Sequence, residues 1–489
     1  MHPARRAAAY VTAATVALLT AAVGCHGRGQ APATGLTIAL INDFRGFERP
    51  CGCAQHQVGG LLRLGTVMSA VQAWLADQPI PSTSGAHAAA LLTQAAPATL
   101  ARPQPVVMVD CGNFAWFDSP SPELRARTHL AVLKLLGGAA VVPGGSELQL
   151  SEAQARAFLG ESPLPVVSCN LSVRGKDIAV QPYAKLAAGW YLIGVSCWEP
   201  TPGEPPQDRW WDLSDPVQGV RETLSQLPRA AKVVVVAAHQ PPDVLSKLAG
   251  LKVVAVVGGA ADVPARGAGG APIVPEPPSI GGKLVLLSLA RQAEGPAVQR
   301  WAIETTDEWP DDTRVDALLK DEQQRLREEM LAKVRTRGDW RSTSWGMSAQ
   351  FLPSAAPAGG QYVGAMVCAT CHAAAYKTWQ ASGHSQALQS LKAKGDEGSV
   401  DCLKCHTTAM VEPGGYDPLS PRAELGSVGC ESCHGAGGRH VELMRAAKKP
   451  TGELAIARGS LDKCVSCHDS YNSPGFERTL YWEKIRHSR

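Results

Sequence analysis

Eight cysteines in the C-terminal part of the sequence fall into four copies of one pattern. These are Cys368-Ala-Thr-Cys371-His372, Cys402-Leu-Lys-Cys405-His406, Cys430-Glu-Ser-Cys433-His434 and Cys464-Val-Ser-Cys467-His468. Two thiols three positions apart can add to the two vinyl groups of one porphyrin, and the adjoining imidazole is then held below its iron. Structural zinc also uses C-x-x-C pairs, but zinc does not require a histidine after every second cysteine. Four complete motifs between residues 368 and 468, with no cysteine left over, do not arise by chance. The spacing predicts four covalent c-type haems, with His372, His406, His434 and His468 as proximal ligands.

Three other histidines lie in this half, in Trp379-Gln-Ala-Ser-Gly-His384, His434-Gly-Ala-Gly-Gly-Arg-His440 and Tyr481-Trp-Glu-Lys-Ile-Arg-His487. With these segments and the four motifs, residues 361–489 resemble the tetrahaem cytochromes typified by the electron carrier of ammonia-oxidising bacteria. The resemblance implies that His384, His440 and His487 are distal ligands and that the haems are mostly bis-histidine and low in potential. It leaves open which distal histidine serves which iron. Four irons and three distal histidines leave one short. That iron is five-coordinate, as family precedent has it, or takes Met366, Met410 or Met444, or a histidine from the first half. An open iron is where small-molecule chemistry could enter.

Four porphyrins in so short a stretch leave little room for an ordinary core. Short helices and loops wrapped around nearly touching macrocycles are expected, an arrangement suited to conducting electrons.

The first half has a different texture. Apolar runs at 36–41, 105–109, 140–142, 164–167, 191–195, 232–237 and 252–257 read as buried strands, and 60–76 and 123–137 as amphipathic helices. The alternation argues an α/β layered domain over 35–300. Residues 80–103 read as a loop or insertion.

Asn42-Asp43-Phe44-Arg45-Gly46, Gly59-Gly60-Leu61-Leu62-Arg63, Val109-Asp110-Cys111-Gly112-Asn113, Pro143-Gly144-Gly145-Ser146-Glu147, His239 and Gly258-Gly259-Ala260-Ala261 follow one another in an order similar to the metallophosphatase domain of the 5'-nucleotidase family. The resemblance implies a β-sandwich with flanking helices. It also exposes departures: Arg45 stands for a histidine ligand and Asn113 for the bridging aspartate. Gly145 and Ser146 stand for the asparagine and the catalytic histidine, and Ala260 and Ala261 for the last pair. Of the family's ligand set, Asp43 and His239 remain. Two ligands cannot hold the two metals such hydrolysis needs, so no dinuclear metal centre is expected in this domain and phosphoesterase activity is the least favoured reading.

Cys51-Gly52-Cys53 and Cys111 lie near that lost site, where thiols could form a redox pair, a soft-metal site or a sulfur-handling centre, or be merely structural. Cys169 and Cys197, in apolar strand-like settings, read as inert core or a structural bridge. Related exported proteins combine a nucleotidase-like domain bearing Pro-Cys-Gly-Cys with the same cytochrome region, and this chain resembles them.

Residues 312–338 read as a long solvated helix with one apolar edge, and 339–360 as a flexible linker. At the N-terminus, Arg5 and Arg6 precede an apolar run of 16 residues, 9–24, shorter than the ~20 a spanning helix needs. Ala22-Val23-Gly24-Cys25 resembles a bacterial lipoprotein processing site, so 1–25 is expected to be a signal peptide with Cys25 lipidated, placing the chain in the periplasm or on the outer surface. The chain has 489 residues with 47 Lys+Arg against 44 Asp+Glu, too near balance to argue for nucleic acid as a partner.

Two functions from different classes remain. One is an electron carrier serving redox partner proteins, membrane-anchored by lipid, with the front domain as scaffold or docking module. The other is a redox enzyme using Cys51/Cys53/Cys111 or an open haem on a small sulfur, nitrogen or metalloid substrate.

Overall fold

The computed structural model describes residues 35–46, 48–49, 58–115, 121–175, 177–198, 209–259, 270–278, 282–292, 295–337, 360–393, 395–410, 412–446, 459, 461–468, 473 and 476–487. The expected signal peptide, Cys25, Cys51, Cys53, Ala260, Ala261 and all of the expected linker except Gly360 lie outside them.

In chain order the front part runs β1 (Leu36–Ile41), α1 (Leu61–Leu75), α2 (Ala88–Ala95), β2 (Val106–Asp110), α3 (Pro122–Leu135), β3 (Gly138–Val141), α4 (Gly145–Gln149), α5 (Glu152–Leu159), β4 (Val166–Val167), β5 (Leu171–Val173), β6 (Val180–Gln181), β7 (Tyr183–Ala187), β8 (Trp190–Gly194), β9 (Trp211–Leu213), α6 (Pro216–Gln226), β10 (Lys232–Val236), α7 (Pro242–Ala249), β11 (Ala255–Val257), β12 (Ile273–Val274), β13 (Lys283–Gln292) and β14 (Gly295–Glu304). A seven-stranded sheet has the order β14-β13-β1-β2-β3-β4-β6, and a five-stranded sheet the order β12-β11-β10-β8-β7.

The two sheets face each other. Leu36, Ile38 and Leu40 of β1 share one apolar cluster with Leu192 of β8 and Val234 and Val236 of β10. The alternate residues Ala39 and Ile41 turn the other way, into a cluster with Leu64, Val67 and Met68 of α1 and Leu130 of α3. On the far side of the second sheet, Val233 and Val235 pack with Val220 of α6 and Leu245 and Leu248 of α7. The result is helix, sheet, sheet, helix. Strands covered on both faces carry unbroken apolar runs, which is why they were legible as strands. The expected metallophosphatase-like layering is therefore present.

Two expectations need correction. Residues 80–103 are not all loop: α2 lies within them, anchored by buried Ala88 and Leu92. Its Ala-rich run favours helix, and Ala88, Leu91, Leu92 and Ala95 pack on the core at the i, i+3, i+4, i+7 spacing of an amphipathic helix. The long antiparallel hairpin β13–β14, with Leu286 opposite Trp301, was not anticipated at all. It pairs with β1 and covers that edge of the larger sheet.

The expected long helix is α8 (Thr313–Arg337). Val315 and Leu319 are buried in the front domain's core. Arg49 pairs with its Asp316 at 2.8 Å, and Arg125 lies 3.8 Å from its Glu322. From the same helix, Gln323 Nε2 donates to Asp396 Oδ1 at 3.3 Å, reaching the C-terminal region.

That region consists of short helices, α9 (Ala365–Ala369), α10 (Ala373–Gln380), α11 (Ala387–Lys392), α12 (Val400–His406), α13 (Cys430–His434), α14 (Gly438–Arg445), α15 (Leu461–Cys464) and α16 (Arg478–Ile485). Its own apolar core is small, built on Tyr362, Leu388, Leu391, Leu403, Met410, Tyr416, Leu425 and Ala436. Among the described residues, no helix is long and apolar enough to cross a membrane.

Candidate functional sites

Each C-x-x-C-H motif occupies about one helical turn. Cys368 lies in α9 and His372 precedes α10; α12 and α13 each end on their motif histidine. His372 N donates to Cys368 O at 2.9 Å and His468 N to Cys464 O at 2.8 Å, bonds from the fifth residue of the motif to the first. That turn puts the first cysteine and the histidine on one face. The motifs abut one another: α9 of the first packs against α13 of the third, and the neighbouring Cys405 holds the Cys467 thiol below its ordinary range. The first motif thus lies against the third and the second against the fourth.

The three other histidines come to the motifs as partners. The ring of His372 faces that of His440 with centroids 6.3 Å apart, His468 faces His384 at 6.1 Å, and His434 faces His487 at 5.9 Å. Two imidazoles bound to opposite sides of one metal ion, each by a bond of about 2 Å, have centroids roughly 6 Å apart. The spacing therefore fits an iron between each pair. His384 and His440 have lowered pKa values, through burial first and the facing imidazole second, which favours the neutral form a metal ligand must have.

His406 is held in another way. It is buried, and its Nδ1 lies 2.8 Å from Ala387 O and 3.4 Å from Ser390 Oγ. A ring proton on Nδ1 donated to that carbonyl leaves Nε2 as the nitrogen with a free lone pair, the usual way a ligand's ring is oriented. Of the three methionines weighed for the fourth iron, Met410 is buried in the small apolar core, and Met366 and Met444 are 65% and 47% exposed.

In the front domain the residues singled out by sequence converge at the C-terminal ends of the parallel strands, where open α/β sheets bind ligands. The loop after β1 keeps pairing with the loop after β2: Asp43 N donates to Gly112 O, Arg45 N to Asn113 O and Gly46 N to Phe114 O, each at 2.9 Å. Asp43, Arg45, Asn113 and His239 all have positive φ, 56°, 48°, 56° and 62°. Such backbone is costly for non-glycine residues and concentrates where loops are shaped for a site. A side chain at Gly144 would put its Cβ 2.5 Å from Asn113 Oδ1, so only glycine allows that approach.

The polar groups here satisfy each other. Arg45 Nε lies 2.6 Å from Asp43 Oδ1. His239 Nε2 lies 3.0 Å from Asn113 Nδ2 and 3.3 Å from Asn42 Oδ1, and its Nδ1 is 3.5 Å from Glu276 Oε1. Ser146 N donates to Asn113 Oδ1 at 2.9 Å. Glu147, fully buried, accepts from Asn113 N, Ala115 N and Gly144 N at 2.7–2.9 Å, yet burial pushes its carboxyl up to about 8.

Of the candidate thiols, Cys111 is buried in the cluster between the sheets, and burial first, then Asp110 and Glu276, push it well above the ordinary thiol range. Cys169 is pushed up to about 12, chiefly by burial. Cys197 Sγ donates to His239 O at 3.3 Å. Cys51 and Cys53 lie outside the described residues.

Three contributors escaped sequence reasoning. His129 of α3 is stacked on Phe114 at 5.0 Å and bonds Asp110 at 2.6 Å, fixing the loop after β2. Glu276 follows β12 and holds His239, and Glu431, inside the third motif, accepts backbone bonds from two other segments. None has a spacing signal, because each acts on a residue distant in sequence.

Residues 367–435 match the family model described as cytochrome c554 and c-prime. Cytochrome c-554 of Nitrosomonas europaea is 32% identical over 151 residues, covering 25% of this chain and 63% of that protein, so the chain spans less than two thirds of that relative's length. Among solved structures, reduced cytochrome c554 from Nitrosomonas europaea is 28% identical, with a TM-score of 0.20, and covers 24% of this chain and 69% of that chain. A 5'-nucleotidase precursor from Thermus thermophilus is 19% identical, with a TM-score of 0.44, over 60% of this chain and 59% of that chain. The sulfate thiohydrolase SoxB of the same organism is 14% identical, with a TM-score of 0.45, over 60% and 61%. The C-terminal region is thus a c554-type cytochrome c domain, joined to an α/β sandwich.

Proposed function

We propose that this chain is an exported electron-transfer protein, in which four covalently attached haems form a relay and the front domain serves as scaffold or docking module. The observation that carries the reading is the set of three facing histidine pairs beside three of the four attachment motifs. Bound c-type haem supplies reversible one-electron chemistry at its iron. Cys368/Cys371, Cys402/Cys405, Cys430/Cys433 and Cys464/Cys467 would anchor the four groups. His372 with His440, His468 with His384 and His434 with His487 would clasp three irons from both sides. His406, oriented by Ala387, would hold the fourth from one side, since all three distal histidines are engaged elsewhere.

In the front domain the Arg45 guanidinium lies on Asp43, so a positive side chain takes the place a cation would need. This supports a loss of metal-dependent hydrolysis. Export and anchoring through Cys25 complete the reading, since c-type haem is attached outside the cytoplasm.

The test is the matured protein from a host that attaches c-type haem. Its mass should exceed the processed chain by four haems, and electron paramagnetic resonance should show three low-spin irons and one high-spin. Fewer attached haems, or four low-spin irons, would overturn the assignment.

A second reading follows from the open fourth site: reduction or oxidation of a small sulfur, nitrogen or metalloid species at that iron. It predicts catalytic turnover that competes with a bound inhibitor of the high-spin iron alone. A pure carrier exchanges electrons with partners and turns over no such substrate.

A further inference from the structure

Glu431 stands between the two cysteines of the third motif, yet the groups it binds belong to the first site. It is buried, at 3% exposure. Its Oε2 accepts from Gly364 N at 2.8 Å, its Oε1 from Gly437 N at 2.7 Å, and Val363 N lies 3.0 Å from both oxygens. Gly364 immediately precedes α9, which carries Cys368 toward His372. Gly437 immediately precedes α14, which carries His440. One carboxylate therefore ties together the two segments that bring His372 and His440 face to face.

Every one of these partners is a donor, the pattern an ionised carboxylate satisfies. Among the described residues no cation is paired with it. Arg422 is engaged by Glu424 at 2.9 Å and by Tyr362 O at 2.9 Å, and Arg439 by Glu442 at 2.8 Å. Glu412 accepts the hydroxyl of Tyr362. α9 of the first motif packs against α13 of the third, so the carboxylate lies at the junction of the first and third motifs.

Resting on the haem-ligand reading above, we infer that Glu431 is the residue that sets the reduction potentials of the first and third haem sites and fixes the His372–His440 spacing. Reduction adds one electron to an iron site and removes one unit of positive charge. A fixed negative charge buried nearby favours the oxidised form. At an effective dielectric of about 20, a unit charge within a neighbouring helical turn changes that equilibrium by about tenfold or more. Glu431 acts through charge and position, and takes no part in any bond to the iron.

The test uses the full-length matured protein. Glu431→Gln keeps the shape and removes the charge. Two of the four reduction midpoints should rise, each by about tenfold in equilibrium constant, on the order of 59 mV for a one-electron couple, while the other two stay in place. Glu431→Asp keeps the charge but cannot span all of the N–H groups. It should leave the midpoints near wild type and alter the low-spin signal of one site.

Wild-type midpoints in a Glu431→Gln protein with four haems would overturn the inference. So would Glu431→Asp shifting the same two midpoints as far as Glu431→Gln is expected to. The wild-type spin count separates failures: if it does not show three low-spin irons, the haem-ligand reading fails first, and if it does and the midpoints do not move, only the role of Glu431 fails.

Discussion

His384 and His468 face each other with ring centroids 6.1 Å apart, although one lies in the 3-10 turn before α11 and the other closes the last motif. Trp379 Nε1 donates to Val428 O at 2.8 Å and Val428 N to His384 O at 3.2 Å, so the segment bearing His384 is fastened to the approach of the third motif. A ligand delivered by so short and well-anchored a segment can be removed without dismantling the domain. Replacing His384 with Ala should leave four haems attached and convert one low-spin iron to high-spin. Carbon monoxide binding by the reduced protein should then rise from one to two per chain, as counted by spectral titration. His487→Ala should do the same at His434.

The cleft at the strand ends should not take up a catalytic metal pair. Asp43 is already neutralised by Arg45 at 2.6 Å, and His239 is engaged by Asn113 and Glu276. Protein equilibrated with Mn2+ or Zn2+ and then desalted should carry only substoichiometric metal beyond iron. It should hydrolyse a generic phosphate ester no faster than buffer does. Retention of two equivalents with hydrolysis would sink the scaffold reading.

Arg125 lies between two buried carboxylates, 3.2 Å from Glu48 and 3.8 Å from Glu322, with side-chain exposures of 11%, 8% and 1%. Removing the guanidinium leaves two acidic groups without their shared cation, the case in which breaking a buried pair costs about 3–5 kcal/mol. Arg125→Met should lower stability by about that amount in denaturant titration and loosen α8 from the front domain. The haem spectrum should stay unchanged, because no haem ligand is touched.

Glu147 gives the front domain a characteristic pH dependence. Burial raises its carboxyl to about 8 in the folded chain, against about 4.3 when unfolded. Between those values the folded state binds the extra proton, so stability falls as pH rises. The stability present below the unfolded value is lost progressively up to about pH 8, on the order of 5 kcal/mol in all. Glu147→Gln should flatten this slope while lowering stability at acid pH, because the amide turns donors toward Asn113 N, Ala115 N and Gly144 N. Unfolding free energies at several pH values in the two proteins would check it.

The four C-x-x-C-H motifs are fully legible in the chain, because each is completed within about one helical turn and the chemistry it allows depends on spacing alone. The strands β1, β2 and β10 were legible because burial on both faces leaves an unbroken apolar run. The run 284–289 of β13 and the spacing Ala88, Leu91, Leu92, Ala95 of α2 carry the same kinds of signal and went unread; the pairing of β13 with β14 is what only the folded chain shows. The three further histidines are visible in the sequence, but which motif histidine each one meets is not.

Local order along the chain determined which residues could bond to porphyrin. Tertiary structure decided that His440 meets His372, His384 meets His468 and His487 meets His434. It also decided that Arg45 answers Asp43, and that Glu431 of one motif braces another. Covalent attachment is a property of neighbours in sequence, whereas clasping a metal from its second side needs a residue that only the folding of distant backbone can bring across.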